Sequence, residues 1–254
     1  MVQLSGSENI ILSGDELLSR DVGELPASPE KPLQIRAKFY KIGMMQYISH
    51  LDLVRTMTRI IVRSGVPAWY SQGFNPRLKL TFSLPLSIGT QSECEFFDIR
   101  LTSPMSSAEI MSRLNRSLTD EMQIVAVYPG TRRFGDIAWA DYEIKLTSPS
   151  LSENAARELA DLYTSPLVVT KRSKTGDKEV DILPFLSLRS CRFDEGSVTL
   201  RALLSADSAN YLNPEYLVRA AQDRLGLALD DPFGEFYTIV RKEVYLSDRT
   251  TIFR

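Results

Sequence analysis

The stretch that decides the fold is Gln46–Gly89, QYISHLDLVRTMTRIIVRSGVPAWYSQGFNPRLKLTFSLPLSIG. It holds the clearest helix start, the densest turn chemistry and the single histidine of the chain. Ser49 precedes an apolar-periodic run, and Asp52 follows three residues later, which is a capping-box pattern with Asp in place of Glu or Gln. Gly65 is a typical helix stop. The pattern predicts an amphipathic helix over 49–64.

Three arginines on the polar side of this helix, Arg55, Arg59 and Arg63, are spaced four residues apart and form one ridge. The ridge is either a solvated face partly neutralised by Asp52 or a phosphate-binding surface, because the guanidinium fork matches phosphate oxygens. His50 falls on the apolar side of the first turn. It is either a packing residue with a hydrogen bond or a general acid–base group. A pair of histidine ligands is excluded, because the chain has one histidine.

A turn follows the helix, Ser71-Gln72-Gly73-Phe74-Asn75-Pro76-Arg77. Gly73 can take a positive φ, and the Asn75-Pro76 pair favours a turn, since proline fixes its own φ and keeps the preceding residue out of the helical region. Such a loop projects polar side chains in a fixed direction: Gln72, Asn75, Arg77 and Lys79. It is either an ordinary polar hairpin connection or a binding loop beside the basic ridge.

The next run, TQSECEFFDIRL over 90–101, concentrates polar groups at Ser92, Glu93, Glu95 and Asp98. Alternation places Glu93 and Glu95 on one face of an extended segment. The run is either a charged edge strand or a site for a divalent cation. Its spacing matches no familiar cation loop, and we expect no metal.

The composition is that of a protein with one large or two small domains: 254 residues, 43% hydrophobic and 24% charged. The net charge of −2 argues against non-specific coating of nucleic acid, although a local basic patch remains compatible with it. The two cysteines form no CxxC, and a three-cysteine iron–sulfur motif is absent, so this chain is not itself a radical enzyme. No apolar run is long enough for a membrane-spanning helix, and no signal peptide is evident. We therefore expect a cytoplasmic protein.

The order of patterns along the chain predicts the fold class. Residues 1–32 are rich in Ser, Gly, Glu and Pro and predict a flexible leader. Strand and helix patterns follow in the order βαββαβ over 33–130 and recur over 131–254. The tetrapeptide Leu-Thr-Ser-Pro occurs at 101–104 and at 146–149, each time between a strand and a helix. We therefore predict an α+β fold of two tandem ferredoxin-like (βαββαβ) subdomains with antiparallel sheets.

The second half has a basic hairpin of its own around a glycine-containing turn, with Lys171, Arg172, Lys174 and Lys178. The hairpin is either a solvated tip or one wall of a groove that it shares with the arginine ridge.

Two segments, SHLDLVR over 49–55 and YSQGFNPRLKLTFSLPLSIGTQSECEFFDIRL over 70–101, resemble the radical SAM-linked protein family. This is a bacterial domain of unknown function, often fused to or encoded beside a radical S-adenosylmethionine protein, near ribosomal-protein genes. The resemblance covers about residues 33–245, and KEVDILP resembles a later motif of the family. Leu78 and Leu183 depart from it, since relatives commonly carry Pro and Arg there. The signature positions are Ser49, His50, Asp52, Arg55, Ser71, Gln72, Gly73, Asn75, Pro76, Arg77, Ser92, Glu95, Asp98, Val180 and Asp181.

The resemblance implies an accessory binding module that works with a radical SAM protein. The basic elements and the aromatic residues Trp69, Tyr70 and Phe74 suggest that it presents tRNA or rRNA for modification. The iron–sulfur cluster and S-adenosylmethionine then belong to the partner, and this chain needs no cofactor.

Two alternatives remain open at this stage. In the first, the chain is a stand-alone enzyme, with Asp52 or His50 as acid–base group and Arg77 as an anion clamp on a phosphate-bearing substrate. In the second, it is a purely structural partner of the radical SAM protein. We expect no catalytic activity of the chain on its own.

Overall fold

The computed structural model describes residues 32–171 and 176–254. Apart from Pro32, the predicted leader 1–32 lies outside the described residues, and so do Arg172 and Lys174 of the basic hairpin. The elements are, in chain order, β1 Leu33–Lys41, α1 His50–Ser64, β2 Leu80–Phe82, β3 Thr90–Leu101, α2 Ser107–Asn115, β4 Ile124–Pro129, β5 Trp139–Thr147, α3 Glu153–Tyr163, β6 Val168–Lys171, β7 Lys178–Asp181, β8 Leu186–Asp194, β9 Ser197–Ser205, α4 Glu215–Leu225 and β10 Phe236–Tyr245.

Helix α1 begins and ends where the sequence predicts. The Ser49 hydroxyl accepts a hydrogen bond from the Asp52 amide at 3.1 Å and donates one to the Asp52 carboxylate at 2.8 Å. Gly65 ends the helix with a φ of 68°, in the left-handed region that favours glycine. The helix buries four apolar side chains against the sheet: Leu53, Met57, Ile60 and Ile61.

The α+β class and the mostly antiparallel pairing are confirmed. Seven strands of one sheet run in the order β4-β1-β3-β10-β5-β9-β8, and β2 pairs with β3 as the eighth, while β6 and β7 form a separate hairpin. The strands of the first half thus follow the order β4-β1-β3-β2, and those of the second half follow β10-β5-β9-β8. The division of the chain at 130 stays a prediction.

One parallel contact joins the two strand sets. Residues Thr90–Ser92 of β3 pair with Ile239–Arg241 of β10. Further along the same side of β3, Leu80–Phe82 of β2 pair with residues 97–99. The antiparallel strands predicted for the two halves therefore belong to one continuous sheet. The prediction of a charged edge strand over 90–101 is wrong, since β3 has β1 on one side and β10 and β2 on the other.

The helices of both halves cover the same face of the sheet. In the first half, Phe39 and Phe97 lie in the core with the buried side of α1. In the second half, Ile144 and Leu146 are fully buried, whereas Lys145 between them is exposed.

The strand register shows that these covered sides are continuous. Lys41 lies opposite Ser92, Ser92 opposite Arg241, and Arg241 opposite Tyr142. Opposite residues share a face, and side chains two apart in a strand point the same way. No α-helix among the described residues lies on the other face of the sheet, which we call the open face, although the rings of Phe134 and Phe253 cover Arg36 there. None of the described helices is long and apolar enough to cross a bilayer.

Candidate functional site

The signature loop is held closed by its own first and last residues. The Ser71 amide donates to the Arg77 carbonyl at 2.8 Å, and the Arg77 amide donates to the Ser71 hydroxyl at 3.0 Å. Gly73 has a φ of 125°, which a glycine tolerates, and Phe74 beside it is fully exposed. Three polar side chains of the loop are exposed as well: Gln72, Asn75 and Arg77. The loop therefore presents an aromatic ring among polar groups.

Directly after the loop, a small pocket opens on the open face. It measures about 160 Å³, and we call it the Lys79 pocket. Lys79 is exposed and forms no ion pair with any described residue. Arg100 contributes a second cation and lies 5.7 Å from the Trp69 ring. The lining residues are Gln34, Lys79, Thr81, Asp98, Ile99 and Arg100.

The acidic member of this pocket is already neutralised. The Asp98 carboxylate accepts two hydrogen bonds from the buried Arg36 guanidinium, at 2.8 and 2.9 Å, and a third from Gln34 at 2.9 Å. Lys79 and Arg100 therefore keep their positive charge for a ligand, because the only carboxylate in the lining is engaged elsewhere.

Ion pairs neutralise part of the remaining open face. They join side chains of different strands, and each pair leaves little net charge for a ligand. The pairs are Lys38 with Glu243 at 2.8 Å, Arg201 with Asp141 at 2.6 Å, Arg201 with Glu143 at 3.4 Å, and Arg189 with Asp141 at 3.3 Å. Lys145 and Arg192 lie exposed on the same face in the second half, without an ion pair to a described residue, so the Lys79 pocket with its loop is one of two cationic areas on this face.

The arginine ridge of α1 lies on the other side of the sheet. Arg55 pairs with Asp52 at 3.2 Å, and both side chains are exposed. The hydrogen bonds with Ser49 and Arg55 lower the pKa of the Asp52 carboxyl, so Asp52 is an anion rather than an acid near neutral pH. Arg59 and Arg63 are exposed and form no ion pair with any described residue. The structure therefore separates this ridge from the Lys79 pocket.

Two signature residues, His50 and Glu95, line a small cavity on the helix-covered face together with Lys41. The His50 ring meets the edge of Phe82 with the centroids 5.8 Å apart. The cavity has a volume of about 10 Å³, which is room for no more than a water molecule. Neither Asp52 nor Arg77 lines it. The predicted acid–base group and anion clamp therefore do not meet in this cavity.

Lys41 and Glu95 also belong to a buried charged cluster with Arg241, which we call the seam cluster. The Arg241 guanidinium donates to the Glu95 carboxylate, and the three residues are 1 to 4% exposed. Burial lowers the pKa of Lys41, although the neighbouring Glu95 opposes that effect. Burial alone would also lower the pKa of Arg241, but the Glu95 carboxylate outweighs it and the pKa is raised. Arg241 therefore remains a cation inside the protein.

Two further signature residues tie down the backbone. The buried Ser92 hydroxyl accepts a hydrogen bond from the Cys94 amide at 3.2 Å. The Asp181 carboxylate accepts bonds from the amides of Leu167 and Leu183, both at 3.0 Å. Each contact closes a local turn or bulge, so these two side chains have a structural role.

The basic hairpin lies over the helices of the second half. The Lys171 ammonium donates to the Tyr211 carbonyl at 3.1 Å and lies 5.6 Å from the Phe185 ring. Lys178, on the paired strand, is exposed. A pocket of about 580 Å³ lies between this hairpin and α4, and no arginine of α1 lines it. This pocket is therefore not the groove that the sequence suggested between the two basic elements.

Sequence reasoning did not identify Arg100, Gln34, Lys41 or Arg241. Arg100 could have been found, because it alternates with Asp98 in the same strand and therefore shares its face. Arg241 gave no local signal, since its partner Glu95 is 146 residues away.

A family model described as "Uncharacterized protein conserved in bacteria (DUF2344)" matches residues 34–214. The match covers more than half of the chain, and the chain belongs to this family. This confirms the part of the resemblance that concerns a bacterial domain of unknown function. A search of curated proteins finds no match.

Proposed function

We propose that this member of the DUF2344 family is a cytoplasmic accessory module that binds tRNA or rRNA and presents it to a radical SAM protein. The observation that carries the proposal is the Lys79 pocket with its loop. Arg77 and Lys79 are exposed cations without ion pairs among the described residues, and Phe74 is a fully exposed aromatic ring beside them.

These groups suit a looped or single-stranded segment of RNA. Lysine and arginine neutralise phosphates, and an exposed aromatic ring stacks on an unpaired base. The polar groups of Gln34, Thr81 and Asn75 offer hydrogen bonds to base edges or to the 2′-hydroxyl. Because the ion pairs of Lys38, Arg189 and Arg201 neutralise the middle of the open face, we expect one short segment of RNA to bind at this pocket rather than a long duplex along the sheet.

The thiol chemistry of this chain supports the assignment of the reaction to the partner. Burial raises the pKa of the Cys94 thiol to about 12 and that of the Cys191 thiol to about 11. Both are neutral thiols near pH 7, and a neutral thiol is a poor nucleophile. We propose that the iron–sulfur cluster and S-adenosylmethionine are bound by the radical SAM protein.

We also propose a surface for that partner at the start of α1. Met44, Tyr47 and Leu51 are exposed apolar side chains, 71, 58 and 56% accessible. The Gly89 amide donates to the Gln46 carbonyl at 3.0 Å, which brings the exposed Ile88 next to them. An apolar patch of this kind is typical of a protein contact. In co-purification with the neighbouring radical SAM protein, Leu51→Glu should lower recovery of the complex, and unchanged recovery would exclude this surface.

The finer form of the fold is part of the proposal. We propose that each strand set with its two helices is a ferredoxin-like subdomain. What supports this is the shared order, since β4-β1-β3-β2 and β10-β5-β9-β8 are the same arrangement of four consecutive strands, with β6 and β7 inserted in the second copy. Each copy places its helices on one face and leaves the other face open for binding.

The test is a titration of an unmodified tRNA transcript with the full chain, followed by fluorescence anisotropy. Lys79→Ala should weaken binding about tenfold, because a charge-assisted contact is lost. Lys145→Ala is the matched control, since Lys145 is an exposed lysine of the same face in the second half. Equal affinities for the wild type and Lys79→Ala would overturn the assignment of the site.

A further inference from the structure

A larger cavity lies beside the seam cluster, and both halves of the chain build it. Its volume is about 480 Å³, within the range of roughly 300 to 1,000 Å³ that is typical of small-molecule sites. The loop after β2, the turn before β5 and the segment after β9 contribute its walls. The apolar part consists of Leu84, Pro85, Leu86, Phe134, Ile137 and Ala206.

The lining of this cavity also includes residues with hydroxyl groups. They are Tyr211, Ser83, Ser87 and Ser208. Burial raises the pKa of Tyr211, although the charge of Arg241 opposes that effect, so Tyr211 is a neutral hydroxyl and a hydrogen-bond donor near pH 7.

A buried guanidinium lies directly behind one wall of the cavity. Arg241 Nη2 donates to the carbonyl of Leu84, a wall residue, at 3.1 Å. Its Nε and Nη1 atoms make no hydrogen bond of good geometry among the described residues, although the Tyr142 hydroxyl lies close to the guanidinium and to Tyr211. A buried donor without a well-placed acceptor costs about 1–3 kcal/mol, so the guanidinium favours a further acceptor nearby.

The charge of the seam cluster is also unbalanced. Lys41 and Arg241 are the two basic side chains of the cluster and Glu95 is its one carboxylate, so the cluster has an excess positive charge while Lys41 is protonated. A positive charge at low dielectric attracts an anion more strongly than the same charge at the surface. The segment Leu84–Leu86 lines both this cavity and the small one that contains Lys41 and Glu95, so the excess charge lies just across one wall.

We infer that this cavity binds a small molecule with an apolar body and a single anionic group. The body packs on Leu84, Phe134 and Ile137, and the anion accepts hydrogen bonds from Tyr211 and the serine hydroxyls above Arg241. The inference is independent of the RNA proposal, because no residue of the Lys79 pocket lines this cavity.

Two probes that share one apolar body separate the two parts of the inference. 1-Anilinonaphthalene-8-sulfonate has the body and one sulfonate, whereas N-phenyl-1-naphthylamine is the same body without the anion. Calorimetric titration of the full chain should give one saturable site for the sulfonate, at least about tenfold tighter than for the neutral probe. Equal affinities would overturn the anionic part, and the absence of a saturable site would overturn the whole inference.

Variants then locate the site. Ser208 is exposed at the mouth of the cavity, so Ser208→Trp should block entry without burying the new ring, and binding of the sulfonate should be lost. Ser117→Trp, at an exposed serine away from the cavity, should bind as the wild type does. Tyr211→Phe should weaken the sulfonate about tenfold and leave the neutral probe unchanged. Unchanged binding of the sulfonate by Ser208→Trp would place it elsewhere and overturn the assignment.

Discussion

The Arg241 guanidinium of β10 donates to the Glu95 carboxylate of β3, 146 residues away in the chain, and both side chains are almost completely buried. The pair lies where the two strand sets join through three parallel residue pairs. The ion pair therefore stabilises the contact that makes one sheet out of two halves.

Removal of one member of this pair should be costly. Glu95→Ala leaves the Arg241 charge buried without a counter-charge, and we expect the free energy of unfolding to fall by about 3–5 kcal/mol. Denaturant unfolding followed by circular dichroism measures the loss. Glu93→Ala is the control, because Glu93 pairs with Lys242 at a half-exposed site and should cost less than about 1 kcal/mol. Similar losses for both variants would mean that the buried pair has no special role.

Arg77→Ala should leave the fold intact and weaken RNA binding. The contacts between Ser71 and Arg77 use the amide and carbonyl of Arg77, which alanine retains. The guanidinium is exposed, so the melting temperature should stay within about 2 °C of the wild type. Differential scanning calorimetry and RNA titration of the same preparation check both parts. A large fall in melting temperature would identify Arg77 as a structural residue.

The C-terminal Phe253 should contribute strongly to stability. Its ring is fully buried against Phe96 and lies 4.7 Å from the Arg36 guanidinium. Phe253→Ala should therefore lower the free energy of unfolding by about 3–5 kcal/mol. Ile252→Ala, at the exposed neighbouring position, should cost less than about 1 kcal/mol. Denaturant unfolding of both variants compares them, and equal effects would contradict the packing described here.

The Cys94 thiol should make the protein less stable at alkaline pH. Burial raises its pKa from 9.0 to about 12, so the folded state keeps the proton that the unfolded state loses. The resulting stability is present below pH 9 and is lost as the pH rises toward 12. At pH 10.5 the loss is about 2 kcal/mol by linkage.

Cys94→Ala removes this dependence and tests it. Between pH 8 and pH 10.5 the variant should lose about 2 kcal/mol less stability than the wild type, whatever its stability at pH 8. The buried tyrosines contribute an alkaline loss to both proteins, because burial raises the pKa of Tyr142 and Tyr163 as well. Parallel stability curves for the two proteins would contradict the prediction.

Helix α1 could be predicted from the sequence because its signals are local. The cap at Ser49, the apolar period and the stop at Gly65 all lie within the segment that they define. The loop at 71–77 is similar, since Gly73 and Asn75-Pro76 specify a bend without reference to the rest of the chain. Recurrence of the strand and helix order also suggested two related halves.

The buried charges could not be predicted in the same way. In the run over 90–101, alternation places Glu93 and Glu95 on one face, but the register of β3 against β1 shifts between Ser92 and Glu95, and Glu95 is buried whereas Glu93 is exposed. The pairing of β3 with β10 joins strands from the two halves of the chain, and no period within one element reports it. Nor does periodicity tell on which side of the sheet α1 packs, so the separation of its arginines from Lys79 needed the tertiary structure.

The most direct test of the RNA proposal is the salt dependence of affinity for a tRNA transcript. If phosphates are bound, the logarithm of the association constant falls linearly with the logarithm of salt concentration. Lys79→Ala should make that slope shallower by about 0.7, the value for one phosphate contact on a single strand. Lys145→Ala should leave it unchanged. A flat wild-type dependence, or the same slope for the wild type and Lys79→Ala, would contradict a phosphate-binding site at Lys79.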